Sequence, residues 1–386
     1  MKVTYFKQSD NGCDYYRAVL PMTACKQAGA FEEVNERTPA NIAIDSRSNE
    51  AKLMKDMMAD VILLPRLMSQ TFIHDIRTKI AQTKSDVKIV VDFDDNVFQV
   101  SPLSRHYEDY GLKEVRLSMP NGEIKDLWKD GVNIDLKANQ KRLDAVKYCL
   151  ENVDMVTTTT DILANVLRQY NENVRILPNC VNPERWKKLP FKETDEIRLF
   201  WSGGWSHYED WFIIRDVIPE IMKKYKNVKF CLMGFDFFAR VNDLPRDRFE
   251  FYDWEHIEAF PLQCSIISPD ISIIPLRDTE FNQCKSAIKW IEMASMGVPS
   301  VVSFVSPYME MGPLSEKNNS VFIENNDKAA WIEGISMLIE NPDMRKEIGQ
   351  AAKDTVMKHF DIRTQYGKWA GAYEEVLTWQ HQAIQV

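Results

Sequence analysis

Lys285, Lys289 and Glu292 stand in the segment FNQCKSAIKWIEMASMGVP, at 281–299. Read as a helix, that segment places the three at i, i+4 and i+7, on one face. A short apolar strand, ISII at 271–274, ends just upstream in Pro275 and Leu276. Two cations and a carboxylate at the carboxyl end of a strand suit a sugar nucleotide. The cations can take a diphosphate, and the carboxylate can take ribose hydroxyls. K-x3-K-x2-E alone describes the solvated face of an amphipathic helix, so the flanking segments have to separate the two readings.

Other residues carry chemistry of the same kind. Ser202-Gly203-Gly204 follows an apolar strand and precedes a helical pattern. Glycines there let backbone N–H groups approach an anion, and a helix start adds positive potential. The competing reading is a plain tight turn. Asp10-Asn11-Gly12-Cys13 follows the first strand, and Arg17 comes soon after; it could project toward a ligand or cap its helix. DFDD at 92–95 closes another apolar strand. One of Asp92, Asp94 and Asp95 could orient or deprotonate a hydroxyl there, with His106 as a second candidate base. Otherwise the motif is a turn held by Asp side chains on backbone N–H groups. There is no G-x-G-x-x-G, G-x4-G-K-[ST], H-E-x-x-H or G-x-S-x-G, which weakens dehydrogenase, NTPase, zinc-protease and hydrolase readings.

The elements that must position these residues alternate between strand and helix, the pattern of parallel sheets covered by helices. Strands are expected at 3–6, 61–65, 87–93, 155–158 and 174–177, then at 197–202, 228–233, 249–252, 271–275, 300–303 and 320–323. Helices are expected at 15–28, 50–58, 134–151, 211–225, 285–296, 328–340, 342–359 and 362–380. A chain of 386 residues exceeds one compact core and suits two domains. The Pro-containing, charged NPERWKKLPFKETD at 182–195 is the expected boundary.

Hydrophobic content of 45% describes a globular chain, and no apolar run approaches the roughly 18 residues of a membrane span. Seven scattered cysteines without C-x-x-C read as reduced thiols. With no apolar leader at the N-terminus, they lead to the expectation of a cytoplasmic protein. A net charge of −9 argues against a surface built mainly for nucleic acid.

The strand, then F-N-x-x-K-S-x-x-K-x-x-E, then GVPSVVS at 297–303, resembles the donor-binding segment of retaining GT-B glycosyltransferases of the family-4 type. ILPNCVNPERW at 176–186 is similar to the turn that opens their second domain. LFWSGGWSHYEDW at 199–211 is similar to the Gly-rich loop after that domain's first strand. Bacterial and phage-encoded members share a DxDD segment, as DFDD here. The likeness is good over 174–365 and looser over 1–173.

This resemblance implies an α/β fold of the GT-B class: two Rossmann-like, doubly wound domains facing each other across a cleft. Residues 1–188 would form the acceptor side, residues 189–364 the nucleotide-sugar side, and a last helix at 365–386 would pack back on the first domain. It implies transfer of a sugar from a UDP- or GDP-linked donor to a hydroxyl, with retention. Lys285 and the Gly203-Gly204 backbone would stabilise the leaving diphosphate. His207 would assist where the family often has Arg and Lys, with Ser286 and Lys289 beside them. Glu292 matches the last Glu of the family's E-x7-E motif and would hold the ribose. The first Glu falls at Cys284 and is missing, which leaves Asn282 to contact the sugar. Tyr252 and Trp254 would meet the base, and Gly12 and Arg17 the transferred sugar. D-x-D is the metal motif of the other large glycosyltransferase fold. GT-B enzymes usually need no metal, and neither metal nor cofactor is expected here. The acceptor class stays open: a glycan, a lipid-linked sugar, a protein, or a hydroxylated base in phage DNA, the last placing the protein in a host cytoplasm. Two rivals keep the fold: a non-catalytic nucleotide-sugar-binding protein, and an epimerase.

Overall fold

The computed structural model describes residues 1–37, 59–66, 69–83, 85–118, 122–188, 195–236, 244–311, 314 and 318–379. The helix expected at 50–58 lies outside them. The chain divides into two compact units. The first comprises Met1–Phe98, Asp135–Cys180 and Ile362–Val386, and the second Gln99–Ile134 and Val181–Asp361. The 188/189 division had placed Gln99–Ile134, and with it His106, in the first domain.

The first unit holds a six-stranded sheet in the order β2-β1-β3-β4-β7-β8. Its strands are β1 (Lys2–Phe6), β2 (Glu33–Arg37), β3 (Val61–Pro65), β4 (Lys88–Phe93), β7 (Met155–Thr158) and β8 (Val174–Ile176), and all its pairs are parallel. The central strands read as apolar runs because helices cover both faces of a parallel sheet. β2, with the sequence EVNER, is polar and, among the described residues, pairs with β1 alone at the edge of the sheet. It lacks the apolar signature, which is why the pattern reading missed it.

The second unit holds β9 (Ile197–Gly203), β10 (Val228–Gly234), β11 (Phe249–Tyr252), β12 (Ile271–Ile274), β13 (Ser300–Ser303) and β14 (Val321–Ile323). They form another parallel sheet, in the order β11-β10-β9-β12-β13-β14. Counted within the unit this is 3-2-1-4-5-6, the Rossmann order, with a reversal of winding between β9 and β12. Its core packs Leu199, Trp201, Phe230 and Ile271 against Trp331 and Ile335 of the Lys328–Glu340 helix. An antiparallel hairpin, β5 (Val115–Ser118) with β6 (Ile124–Trp128), also belongs to this unit and was not anticipated. No helix among the described residues is long and apolar enough to cross a membrane.

Three expected helices form differently. The stretch at 15–28 starts earlier, at Gly12–Asp14, passes through a π turn at Tyr15–Val19 and resumes at Leu20–Gln27. Pro21, at the head of the last piece, cannot donate an i→i−4 bond. The stretch at 211–225 is two helices, Tyr208–Ile214 and Val217–Lys224. The stretch at 285–296 becomes helical only at Ile288–Ser295, and a separate short helix, Glu280–Gln283 capped by Thr279, precedes it.

The terminal segment, Ile362–Gln365 and Gly367–Thr378, belongs to the first unit. Trp369 and Tyr373 are buried, and Tyr373 stacks on Phe31 at 5.8 Å between ring centroids. Lys88 Nζ donates to the Trp379 carbonyl at 2.8 Å. Trp369→Ala should therefore cost the first unit about 3–5 kcal/mol, read from urea unfolding followed by far-UV circular dichroism.

Candidate functional site

The crevice at a winding reversal, beyond the carboxyl ends of the strands, is where doubly wound sheets bind ligands. In the second unit the chain leaves β9 through Gly203-Gly204 into a 3-10 turn, Trp205–His207, and the helix Tyr208–Ile214. It leaves β12 through Pro275–Asp278 into the helix Glu280–Gln283. Asp210, only 1% exposed, fastens these two exits together. One carboxylate oxygen accepts from the Arg277 backbone N–H at 2.8 Å and from Asn282 Nδ2 at 3.2 Å. The other lies 2.7 Å from His207 Nδ1.

Lys289, on the helix Ile288–Ser295, reaches across to donate to the Ser202 carbonyl at 2.6 Å. Its ammonium makes no ion pair among the described residues. Burial lowers its pKa to about 8; the charge of Lys285 pulls the same way, while Asp210 and Glu292 oppose. Burial, and then the charge of Lys289, lower His207 to about 4 against the pull of Asp210. At neutral pH the cluster is therefore a charged lysine beside a neutral imidazole. Lys285 is partly exposed and sits 4.5 Å over the Phe281 ring. It lies in the break between two helices, which corrects the one-face reading: Lys289 and Glu292 share a helix, and Lys285 precedes it. Its charge nonetheless reaches Lys289 and His207.

The glycines have separate reasons. A β-carbon on Gly203 would come within 2.9 Å of the Trp201 ring, which stacks on Trp211. Gly234, at the end of β10, has φ +111° and lies so near the Gly203 carbonyl that a β-carbon would fall 2.6 Å from it. Trp254 lies along this glycine surface, 3.9 Å from a β-carbon placed on Gly204, and is 68% exposed. Trp254 is therefore not packed in the core. Tyr252 instead gives its hydroxyl to Glu250 at 2.6 Å, beside Arg198 and Lys229. Asn282 uses Nδ2 on Asp210 and on the Arg277 carbonyl at 3.0 Å, so its amide holds the loop. Glu292 is buried, and Ser286 is partly buried in the turn before its helix.

In the first unit the winding reverses between β1 and β3. A cavity of about 120 Å³ opens there, lined by Asn11, Cys13 and Asp14 after β1, Arg66 after β3, and Asp92 and Asp94 from β4. Asn11 caps the helix that starts at Gly12 by accepting from the Asp14 N–H at 3.0 Å. Arg17 also lines this cavity, and its guanidinium is taken up by fixed partners inside the unit and not by capping its helix. It is buried, bidentate on Asp92 at 2.9 and 2.8 Å, and bonded to the Leu177 carbonyl and Asn179. Thr157 also donates to Asp92 at 2.5 Å. Arg66 bridges Asp94 at 2.5 Å and Asp95 at 3.0 Å. The charge of Asp94 and then burial push the Cys13 thiol well up, so it stays protonated. His106 belongs to the other unit. Among the described residues no group of three His, Cys, Asp or Glu side chains is placed to hold a metal ion.

Arg66 and Asp210 are the site residues that sequence reasoning missed. Asp210 stands three residues after His207, a spacing at which helical side chains meet. Arg66 directly follows an apolar strand but carries no comparable mark.

No known family profile matches the sequence, and no curated protein is similar to it in sequence. Solved structures do match. HepE of Anabaena, in complex with UDP and glucose, is similar over 97% of this chain and 99% of its own, at 14% identity and TM-score 0.62. Sucrose-phosphate synthase of Thermosynechococcus elongatus matches over 97% and 99%, at 13% identity and TM-score 0.58. A glycosyltransferase from Rickettsia africae matches over 98% of each chain, at 10% identity and TM-score 0.62. At these identities the likeness is one of fold, and the fold is the GT-B class.

Two outcomes follow. The folded state holds His207 at about 4 against 6.5, so between those values the unfolded chain binds more protons and stability rises with pH. His207→Gln should flatten that limb of a urea-stability profile. Asp92→Ala strands a buried guanidinium and should cost about 3–5 kcal/mol in the same assay.

Proposed function

We propose that this protein transfers a sugar from a nucleoside diphosphate sugar to a hydroxyl acceptor. The observation that carries the reading is the winding reversal of the second unit. Lys289, Lys285, the Gly203-Gly204 backbone and His207 gather there, with exposed Trp254 along the glycines. A diphosphate supplies a counter-charge for Lys289, and an exposed indole beside a glycine loop offers a base a face to stack on. As the anomeric bond breaks, the leaving diphosphate gains negative charge, and the lysines stabilise that charge more than they stabilise the intact donor. This needs no metal. HepE, which shares the fold, has been captured with UDP and with UDP-glucose, which favours a uridine donor. The cavity of the first unit, with Asp94 and Asp95 held by Arg66, would take the acceptor. Retention, kinship with the family-4 type and its phage-encoded members, and a cytoplasmic location belong to the same reading and rest on the sequence motifs.

One observation favours a second reading. Arg66 occupies both Asp94 and Asp95, so each carboxylate already holds a charged partner where an acceptor hydroxyl would have to dock. A protein that binds the nucleotide without turnover would also fit, and slow hydrolysis of the donor by purified protein separates the two.

A melting-temperature screen against UDP, GDP and ADP and their sugars tests the proposal. The matching nucleotide at 100 times its Kd adds about 2.7 kcal/mol to stability. Lys285→Ala should weaken that nucleotide roughly 10-fold or more, as befits a charge-assisted hydrogen bond. No shift with any nucleotide would sink the reading.

A further inference from the structure

A diphosphate site alone does not account for His207. The imidazole lies 2.7 Å through Nδ1 from an Asp210 oxygen. A carboxylate only accepts, so Nδ1 carries the proton and Nε2 presents a lone pair. Asp210 cannot turn to relax this. It is 1% exposed, and its other oxygen is engaged by the Arg277 N–H and by Asn282. Nε2 has no hydrogen bond among the described residues, and the ring is partly exposed. Such a nitrogen repels phosphate oxygens and suits an O–H donor. The neighbouring cations, Lys285 and Lys289, already answer the phosphates, so the histidine would serve a different part of the same ligand.

We propose that His207, locked in one tautomer by Asp210, accepts a hydrogen bond from a hydroxyl of the sugar carried by the donor. It thereby distinguishes a nucleoside diphosphate sugar from the bare nucleoside diphosphate. Asp210 is the positioning residue and His207 the one that touches the ligand. The inference rests on the nucleotide-sugar reading and departs from the expected role of His207 as an aid to the phosphates.

Calorimetric titration tests it with paired probes: UDP with UDP-glucose and UDP-N-acetylglucosamine, GDP with GDP-mannose, and ADP with ADP-glucose. The pair that binds the unsubstituted chain tightest is carried forward. His207→Phe keeps a ring and removes the acceptor. It should weaken the sugar conjugate about tenfold and leave the bare diphosphate within about twofold. His207→Gln, with a carbonyl acceptor, should recover part of the loss. In the intact chain, nitrogen-15 imidazole resonances should report the Nδ1–H tautomer, and Asp210→Asn should shift them. Equal weakening of both probes overturns the inference in favour of a phosphate role, and no weakening of either overturns it too. An Nε2–H tautomer in the unsubstituted chain overturns it by itself, whatever binds. Failure of every nucleotide to bind the folded, unsubstituted chain instead removes the nucleotide-sugar reading beneath it.

Discussion

Parallel pairing is the constraint from which the rest of this molecule follows. Strands joined in parallel need a crossover between them, so the carboxyl ends of β9, β10, β11 and β12 share one edge of the sheet. Where the winding reverses, between β9 and β12, the two exits are not separated by a covering helix, and the loops from both must meet. Gly203-Gly204 and His207 come from one side, Arg277 and Asn282 from the other, and Asp210 holds them in register. The first unit repeats the arrangement between β1 and β3, where the cavity lies.

Charge removed from water then separates the structural residues from those left for a ligand. Arg17 and Asp92 are both buried, but they neutralise each other in bidentate geometry, with Thr157, Leu177 and Asn179 taking further bonds. That cluster lines the cavity of the first unit with its charges already matched. Lys289 is different. Its ammonium leans on a neutral carbonyl, and burial, with the charge of Lys285, depresses its pKa. The same enclosure keeps His207 neutral. A buried cation without an ion-pair partner among the described residues is the sort of group an anionic ligand stabilises.

Much of the scaffold could be read from the chain itself. Apolar runs such as VILLP and KIVVDF announce buried parallel strands, because both faces of such a strand are covered. The alternation of strand and helix sufficed for two parallel α/β sheets, and the resemblance carried by the segments after β9 and β12 pointed to the GT-B class. A polar edge strand such as β2 and the hairpin of β5 and β6 escaped, since their side chains are largely solvated and leave no apolar period.

Tertiary structure decided which of those residues face one another. Spacing placed Lys285, Lys289 and Glu292 on one helix, but the chain breaks between Gln283 and Ile288, and charge proximity survives without the shared face. The partners of Arg17, Arg66 and Asp210 lie as much as 162 residues away in sequence. Hydrophobic periodicity records which face of an element is buried. It says nothing of which distant group will satisfy a buried charge, because that match is made only when sheets assemble and the low dielectric makes an unpaired ion costly.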